Sequence, residues 1–363
     1  MKTLNQLRID GFRGIRDLNI EHLTPINVIV GDNNCGKTSV MEAVQFLRSG
    51  SPANIYRIAR LRDRTLTFSS NSLYDSFICM FPKADDKLKI QLSGEYDGRQ
   101  VSYVLSGTES KELLDLNELD RVARREFADA NGETETDVFD GCSVYMNGEQ
   151  TLTENIRLNR LTRMTGTLLR MNTQIKISYV APFEHLNGNI INSIIKNDAY
   201  KSICLSALQL FDSEIEDMMI FRSDVSNRPV EYLKHKRLGN MPLSTYGDGI
   251  KKVLVLANAI AGATGGILLI DEIETAIHKK YYNDIFRFIV KACRTFDVQV
   301  FITTHSIEAI DGLLATQDYD VQSKEDAVTV VTLRRENHKT YSRVLQGREV
   351  FENREAFGFE VRL

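Results

Sequence analysis

The residues from Gly31 to Thr38, GDNNCGKT, fit the pattern GxxxxGK[ST] at every position. Glycines in such a loop let successive backbone N–H groups surround an anion, and the helix that follows adds the positive end of its dipole. Lys37 would reach the β- and γ-phosphates of a nucleotide, and Thr38 would offer its hydroxyl to Mg²⁺. The expected loop also includes Asn33, Asn34, Cys35, Gly36 and Ser39. The alternative, a Gly-rich turn without a ligand, is disfavoured by the apolar strand before the loop and the helix after it.

Two adjacent acids end a second apolar run. The run Gly266–Ile270 is followed directly by Asp271 and Glu272. An Asp at the end of a buried strand can hold Mg²⁺, and the next carboxylate can orient or deprotonate the water that attacks a γ-phosphate. Alone, such a pair is more often a solvated strand end. With a phosphate loop in the same chain, we expect Asp271 to bind the metal and Glu272 to be catalytic.

A histidine follows the next predicted strand, Val298–Thr303. His305 would lie on the same edge of the sheet, where its ring could hydrogen-bond the γ-phosphate and report whether this group is present. A loop histidine without such a role is the alternative. We favour the sensing role and count His305 among the catalytic candidates.

A second loop rich in Gly and Ser, Leu243–Gly249, precedes a predicted helix. Small residues before a helix N-terminus can form another anion cradle. A plain helix cap is the alternative reading. A second cradle is of interest because the first one is already assigned to its own nucleotide.

These residues need a sheet that brings them to one edge. The last quarter of the chain alternates helical and strand patterns, which predicts parallel strands joined by helical crossovers. Near the start, alternating runs on both sides of Asp97-Gly98 predict an antiparallel hairpin. We therefore expect an α/β fold with a mixed sheet core and an N-terminal antiparallel β part.

An inserted helical module is expected within this fold. Charged helix-forming residues run from Glu109 to about Ala130, and another helical pattern runs from Thr153 to about Met171. The expected organisation is thus a discontinuous head, 1–107 and 175–363, which carries a helical insertion at 108–174.

Composition limits the class of protein. The chain has 363 residues, 45 Lys+Arg against 49 Asp+Glu, and 42% hydrophobic residues, which excludes a disordered, collagen-like or coiled-coil protein. Charges interrupt every apolar run before the ~18 residues of a membrane span, so a cytoplasmic protein without a membrane segment is expected. Arginines at 57, 60 and 64 and at 157, 160 and 163 would form stripes if helical. Such stripes could track phosphates, although a solvated face is more common.

Four sequence blocks resemble the overcoming-lysogenisation-defect (OLD) ATPases of bacteria and their AAA-domain relatives. They are LRIDGFRGIR at Leu7–Arg16, the loop Gly31–Ser39, YGDGIKK at Tyr246–Lys252 and DEIETAIH at Asp271–His278. More broadly, the chain is similar to the ABC-type ATPase heads of the SMC and RecF group. The resemblance covers about residues 1–50 and 240–310, and it implies an ABC-type P-loop ATPase head.

The resemblance also implies roles for individual residues. Lys37 and Thr38 take the Walker A positions, Asp271 and Glu272 the Walker B positions, and His305 that of the switch histidine. Gly247 and Gly249 belong to the signature loop, which contacts the nucleotide held by the opposite subunit, and Arg13 matches a position near the nucleotide. The signature departs from LSGGQ, with Tyr246 or Ser244 in place of its serine, and no Q-loop glutamine can be assigned.

The implied cofactors are ATP and Mg²⁺, and the implied assembly is a homodimer or a higher assembly of dimers. The residues after His305 do not supply the Toprim nuclease of many OLD-type proteins. We therefore expect a separate nuclease or toxin effector, as in anti-phage defence systems that combine an ATPase with such a subunit. The alternative is a RecF-like repair or recombination ATPase that binds DNA.

Overall fold

The computed structural model describes residues 1–62, 72–82, 88–115, 133–162, 172–186, 190–222, 228–319 and 326–362. The strands are β1 Leu4–Asp10, β2 Leu18–Ile20, β3 Ile26–Gly31, β4 Leu88–Tyr96, β5 Arg99–Asp115, β6 Glu133–Asn147, β7 Gln150–Asn159, β8 Ile177–Val180, β9 Ile215–Arg222, β10 Pro229–His235, β11 Gly239–Pro242, β12 Ile267–Ile270, β13 Gln299–Thr303, β14 Val328–Glu336 and β15 Lys339–Gln346. The α-helices are α1 Lys37–Val44, α2 Pro52–Ala59, α3 Leu73–Ile78, α4 Ile191–Ile194, α5 Asp198–Gln209, α6 Asp248–Gly262, α7 Tyr282–Thr295, α8 Ile307–Leu314 and α9 Gly347–Phe357.

The central sheet has the strand order β15-β14-β3-β13-β12-β8. Its neighbours from β14 to β8 are parallel, and β15 pairs antiparallel with β14. Every residue of β3, β12 and β13 is buried, as expected for strands that are covered on both faces. The parallel sheet with helical crossovers that the sequence predicted is thereby confirmed.

The order of these strands determines where the site lies. Strand β3 leads into the phosphate loop, β12 into Asp271, and β13 into His305. The three strands are adjacent and parallel, with β13 between the other two. Because the carboxyl ends of parallel strands meet at one edge, segments far apart in the sequence converge there.

A second sheet is antiparallel throughout and has the order β2-β1-β4-β5-β6-β7. The predicted hairpin is present, since β4 and β5 join at Asp97 and Gly98, whose φ angles are 54° and 71°. The inner face of this sheet packs on the turn that follows α1, where the rings of Phe46 and Tyr103 lie 5.0 Å apart. The N-terminal antiparallel part is therefore confirmed.

The helical character predicted for 108–174 is wrong in the described residues. Residues 108–115 continue β5, and 133–147 and 150–159 form β6 and β7. Cross-strand pairs stabilise these strands, as in Lys111 with Glu135 at 3.3 Å and Arg157 with Glu112 at 2.5 Å. Pairing along two long strands overrides the modest helix propensity of charged residues. Residues 116–132 and 163–171 lie outside the described part, and the domain boundaries remain a prediction.

Helices and a small sheet complete the fold. Helices α6 and α7 bury apolar faces in the core that covers the central sheet, and β9, β10 and β11 form a three-stranded antiparallel sheet that contacts α5. In the described part of the chain, no helix is both long and apolar enough to cross a bilayer.

Candidate functional site

The loop between β3 and α1 has the backbone shape of an anion cradle. Gly31 has φ 135°, and a Cβ there would lie 2.1 Å from the carbonyl oxygen of Leu333 on the neighbouring strand. Gly36, which caps α1, has φ 111°. Asn34 is also left-handed, with φ 64°. Glycine is therefore required at the two ends of the loop, which turns sharply into the helix N-terminus.

Lys37 lies folded over this loop. Its side chain is buried, and Nζ donates hydrogen bonds to the carbonyl oxygens of Gly31 at 2.9 Å and Asp32 at 2.8 Å. The same ammonium lies 3.7 Å from Sγ of Cys35, which is buried beneath the loop. A cation held at the mouth of a cradle of N–H groups can neutralise phosphate charge.

Thr303, at the end of β13, organises the two acids after β12. Its hydroxyl donates to Oδ1 of Asp271 at 2.5 Å and accepts a hydrogen bond from the backbone N–H of Glu272 at 2.8 Å. Asp271 is buried, and Glu272 is half-buried with a left-handed φ of 48°. The left-handed turn separates the directions of two consecutive carboxylates, so that they can serve different roles.

Tyr179, on the edge strand β8, holds the other oxygen of the same carboxylate. Its hydroxyl donates to Oδ2 of Asp271 at 3.1 Å. Burial, together with the charge of Asp271, raises the pKa of Tyr179 far above its usual value, so the hydroxyl remains a donor. Both oxygens of Asp271 are thus positioned by hydroxyl groups from the flanking strands.

The loop that carries His305 is tied to the loop of the two acids. The backbone N–H of His305 donates to Oε1 of Glu274 at 2.7 Å, and the N–H of Ile273 donates to the carbonyl oxygen of Thr303 at 3.1 Å. A displacement of one loop would therefore move the other.

Glu42 on α1 is enclosed by two arginines. Its side chain is 1% exposed, with Oε2 2.6 Å from Nε of Arg13 and Oε1 2.8 Å from Nε of Arg62. Arg62 also donates to the hydroxyl of Ser39 at 3.1 Å. Burial lowers the pKa of Arg13, while the charge of Glu42 opposes that effect. Arg13 therefore supports the floor of the site through Glu42.

Lys252 is a fully buried lysine on α6. Its Nζ donates to the carbonyl oxygen of Pro182, in the segment after β8, at 3.0 Å. Burial lowers the pKa of Lys252 to about 8, and the charges of Asp271 and Glu272 partly offset this effect. The helix that begins at the second glycine-containing loop is thus connected to the edge of the central sheet.

Most of the candidate residues line one cavity of about 390 Å³. Its lining includes Asn33, Asn34, Gly36, Lys37, Thr38, Ser39, Asp271, Glu272 and His305. Gly31 lines an adjacent cavity, and Cys35 and Arg13 lie beneath the surface. Neither Gly247 nor Gly249 is among the described residues that line the two cavities. Gly247 caps α6, and no described residue beyond its chain neighbours has an atom within 4 Å of the position that a Cβ would take.

Several residues that contact this site belong to no sequence motif. Thr303, Tyr179 and Arg62 contact the candidates, yet Thr303 and Tyr179 are ordinary residues of strands β13 and β8, and Arg62 follows α2. The segment after β8, which begins Ala181-Pro182, runs from the strand beside β12 and lines the same cavity. The sequence signal for this segment was the predicted strand Ile175–Val180, but the sequence does not show that this strand lies beside β12.

The second arginine stripe considered from the sequence is not helical, since Arg157 lies on β7 and Arg160 follows it, whereas Arg57 lies on α2 with Arg60 as its C-cap. Arg157 pairs with Glu112 and Asp140, and Arg160 pairs with Asp75 and Asp137. Arg64 and Arg163 lie outside the described residues.

Comparisons with known proteins agree on an ATPase. A family model described as an AAA ATPase domain matches residues 1–204, and a second model, described as "AAA domain, putative AbiEii toxin, Type IV TA system", matches residues 148–311. An ATP/GTP phosphatase of Helicobacter pylori is 24% identical across 88% of this chain and 91% of its own length. A DNA replication and repair protein RecF of Shewanella denitrificans is 22% identical across 91% of this chain and 99% of its own.

A solved structure supports the fold. The Smc head domain from Pyrococcus furiosus, bound to the C-terminal domain of ScpA, aligns over 99% of this chain and all of its own with a TM-score of 0.50 at 12% identity. The expected ABC-type P-loop head, with its mixed sheet and N-terminal antiparallel part, is confirmed. The helical insertion is replaced by strands in the described residues.

Proposed function

Because this chain belongs to the AAA ATPase domain family, we propose that it binds ATP with Mg²⁺ and hydrolyses it as an ABC-type dimer. One observation carries the proposal. The phosphate loop, the adjacent acids and the histidine come from three neighbouring strands and line one cavity.

The residues present fit a Mg²⁺ nucleotide. The loop needs glycine where a Cβ would collide with Leu333, Lys37 lies across it, and the hydroxyl of Thr38 is at the start of α1. Asp271 accepts hydrogen bonds from two hydroxyl groups, so the protein fixes the orientation of its carboxylate. Bound Mg²⁺ would neutralise the charge that develops on the β- and γ-phosphates.

Different residues of this chain would have different roles in the reaction. The N–H groups of the loop and Lys37 bind the phosphates, and Thr38 and Asp271 hold the metal side. Glu272 orients and deprotonates water, and His305 hydrogen-bonds the γ-phosphate. By the resemblance to ABC-type ATPase heads, we assign Gly247 and Gly249 to the nucleotide of a second copy.

The proposal extends to the role in the cell. By its resemblance to OLD-type ATPases, the chain would control a separate nuclease or toxin in anti-phage defence, in the cytoplasm. The second family model, described as a putative AbiEii toxin of a Type IV TA system, supports a link to such systems, while the separate effector rests on the resemblance alone. Binding and hydrolysis of ATP would make and break the dimer that the effector recognises.

The test uses Glu272→Gln, with Glu336→Gln at the exposed end of β14 as a matched control. We expect Mg²⁺-dependent ATP hydrolysis by the wild type and the control, and a loss of at least about a hundredfold in kcat for Glu272→Gln. Light scattering with ATP should show a stable dimer of that variant. Equal hydrolysis by Glu272→Gln and the wild type would refute the assignment.

DNA is the second candidate partner, favoured by the similarity to RecF over most of the chain. The pairing of Arg157 and Arg160 with acids argues against these residues as phosphate contacts. A gel shift with and without ATP distinguishes the candidates, because a RecF-like function requires salt-sensitive DNA affinity that rises with ATP.

A further inference from the structure

The segment that follows α9, Gly358–Arg362, folds back onto the phosphate-loop edge of the central sheet. Gly358 ends the helix in the left-handed conformation, with φ 63°. Arg354 donates to the carbonyl oxygen of Phe359 at 2.6 Å, and the hydroxyl of Thr332 on β14 donates to that of Val361 at 2.6 Å. Val361 is fully buried. The path of this segment is therefore fixed at several points.

Arg362 extends from this segment to the histidine loop. Its Nη1 donates to the carbonyl oxygen of His305 at 2.9 Å. Its Nε and Nη2 both donate to the carboxylate of Glu360, each at 2.7 Å. A bidentate pair orients the planar guanidinium, which leaves Nη1 directed at His305. Hydrogen bonding from Arg362 lowers the pKa of Glu360 to about 2, so this pair is ionised at physiological pH.

The backbone of His305 is consequently held from both sides. Glu274 accepts from its N–H at 2.7 Å, and Arg362 donates to its carbonyl oxygen. A cavity of about 290 Å³ lies between this segment and the phosphate loop, lined by Gly31, Asp32, Asn33, His305, Glu360 and Arg362. The segment is thus a wall of the nucleotide-binding region.

We propose that Arg362 is a positioning residue for His305, which fixes the backbone of the switch histidine from the segment after α9. This inference rests on the proposed ATPase function. It adds a residue that none of the four sequence blocks contains. The conformation of Gly358–Arg362 would then set how the imidazole approaches the γ-phosphate.

The experiment compares Arg362→Ala, Arg362→Lys, His305→Ala and the double variant His305→Ala/Arg362→Ala. Arg334→Ala, which removes an exposed arginine paired with Glu336, is the matched control. Steady-state kcat and KM, the Kd of a fluorescent ATP analogue and Tm are measured for each. We expect Arg362→Ala to lower kcat by about tenfold to a hundredfold, with the Kd within about twofold.

The double variant distinguishes positioning from a general structural role. If Arg362 acts through His305, the double variant has the kcat of His305→Ala, and Arg362→Lys recovers part of the loss. Losses that multiply, or an Arg362→Ala kcat within twofold of the wild type while His305→Ala is impaired, would overturn the inference. The proposed function is tested separately. It fails if the wild type shows no Mg²⁺-dependent ATP hydrolysis, or if Glu272→Gln does not remove that hydrolysis.

A second variant covers the case in which Arg362→Ala melts early. Glu360→Gln keeps the guanidinium and weakens only its orientation, so kcat should fall by about twofold to fivefold with Tm unchanged. An unchanged kcat for Glu360→Gln would also count against the positioning role.

Discussion

The hydroxyl of Thr303 lies 2.5 Å from Oδ1 of Asp271, and it simultaneously accepts the backbone N–H of Glu272 at 2.8 Å. One hydroxyl, at the end of β13, therefore orients the carboxylate assigned to the metal and the backbone of the residue assigned to water activation. The ends of the neighbouring strands β12 and β13 are thus joined at the point where the chemistry is proposed.

Replacing Thr303 should affect catalysis more than nucleotide binding. Thr303→Val keeps the shape of this fully buried side chain but leaves the Asp271 oxygen and the Glu272 N–H without their partner. We expect kcat to fall by about tenfold to a hundredfold, because a small misplacement of reacting groups is costly. Thr303→Ser restores the hydroxyl and should stay within about threefold of the wild type. Equal kcat values for Val and Ser would contradict the role of the hydroxyl.

Removing the ammonium of Lys37 should strongly raise the Kd for the nucleotide. We expect Lys37→Ala to raise the Kd of a fluorescent ATP analogue by at least about a hundredfold, since the phosphates lose a charge-assisted partner inside the loop. Lys111→Ala, which removes an exposed lysine on β5, is the control and should leave the Kd unchanged. Calorimetry or fluorescence anisotropy provides the measurement, and equal Kd values would exclude this loop as the site.

Neutralising Glu42 should destabilise the fold strongly. Glu42→Gln leaves Arg13, which is 11% exposed, without its counter-charge, and a broken buried ion pair costs about 3–5 kcal/mol. Glu336→Gln breaks an exposed pair with Arg334 and should cost less than about 1 kcal/mol. Urea unfolding followed by circular dichroism measures both. Similar free energies of unfolding for the two variants would show that the Glu42 cluster is not a buried charge centre.

Lys252 gives the stability a pH dependence of known sign. In the folded chain its pKa is about 8, below the 10.5 of the exposed side chain, because burial penalises the ammonium. Between these values the unfolded chain binds the extra proton, so the free energy of unfolding rises with pH. The rise amounts to about 3 kcal/mol over the whole window.

Lys252→Met lacks this titration. Urea unfolding at pH 7.5, 8.5 and 9.5 should therefore show the wild type gaining stability relative to the variant above pH 8. A constant difference between wild type and variant across that range would mean that the buried ammonium keeps its usual pKa.

Much of the fold could be predicted from the sequence, where local pattern and tertiary structure agree. The strand before Gly31, the hairpin at Asp97-Gly98 and the parallel strands of the last quarter all form as expected. The prediction failed for Glu109–Asp115 and for Thr153–Asn159. There the charged residues favour a helix locally, but both segments pair with β6, and Ile156 and Leu158 of β7 are buried, which makes the strand the stable choice.

From the sequence by itself the chemistry could be predicted, because the phosphate loop is a local pattern with few other uses and its presence favours a metal-binding and catalytic role for the Asp271-Glu272 pair. Only the tertiary structure decided which ordinary residues serve that chemistry. Thr303, Tyr179 and Arg362 reach the site through strand order and through the return of the segment after α9. Such contacts depend on which chain segments are neighbours in space, and no local pattern of a threonine, tyrosine or arginine records its distant neighbours.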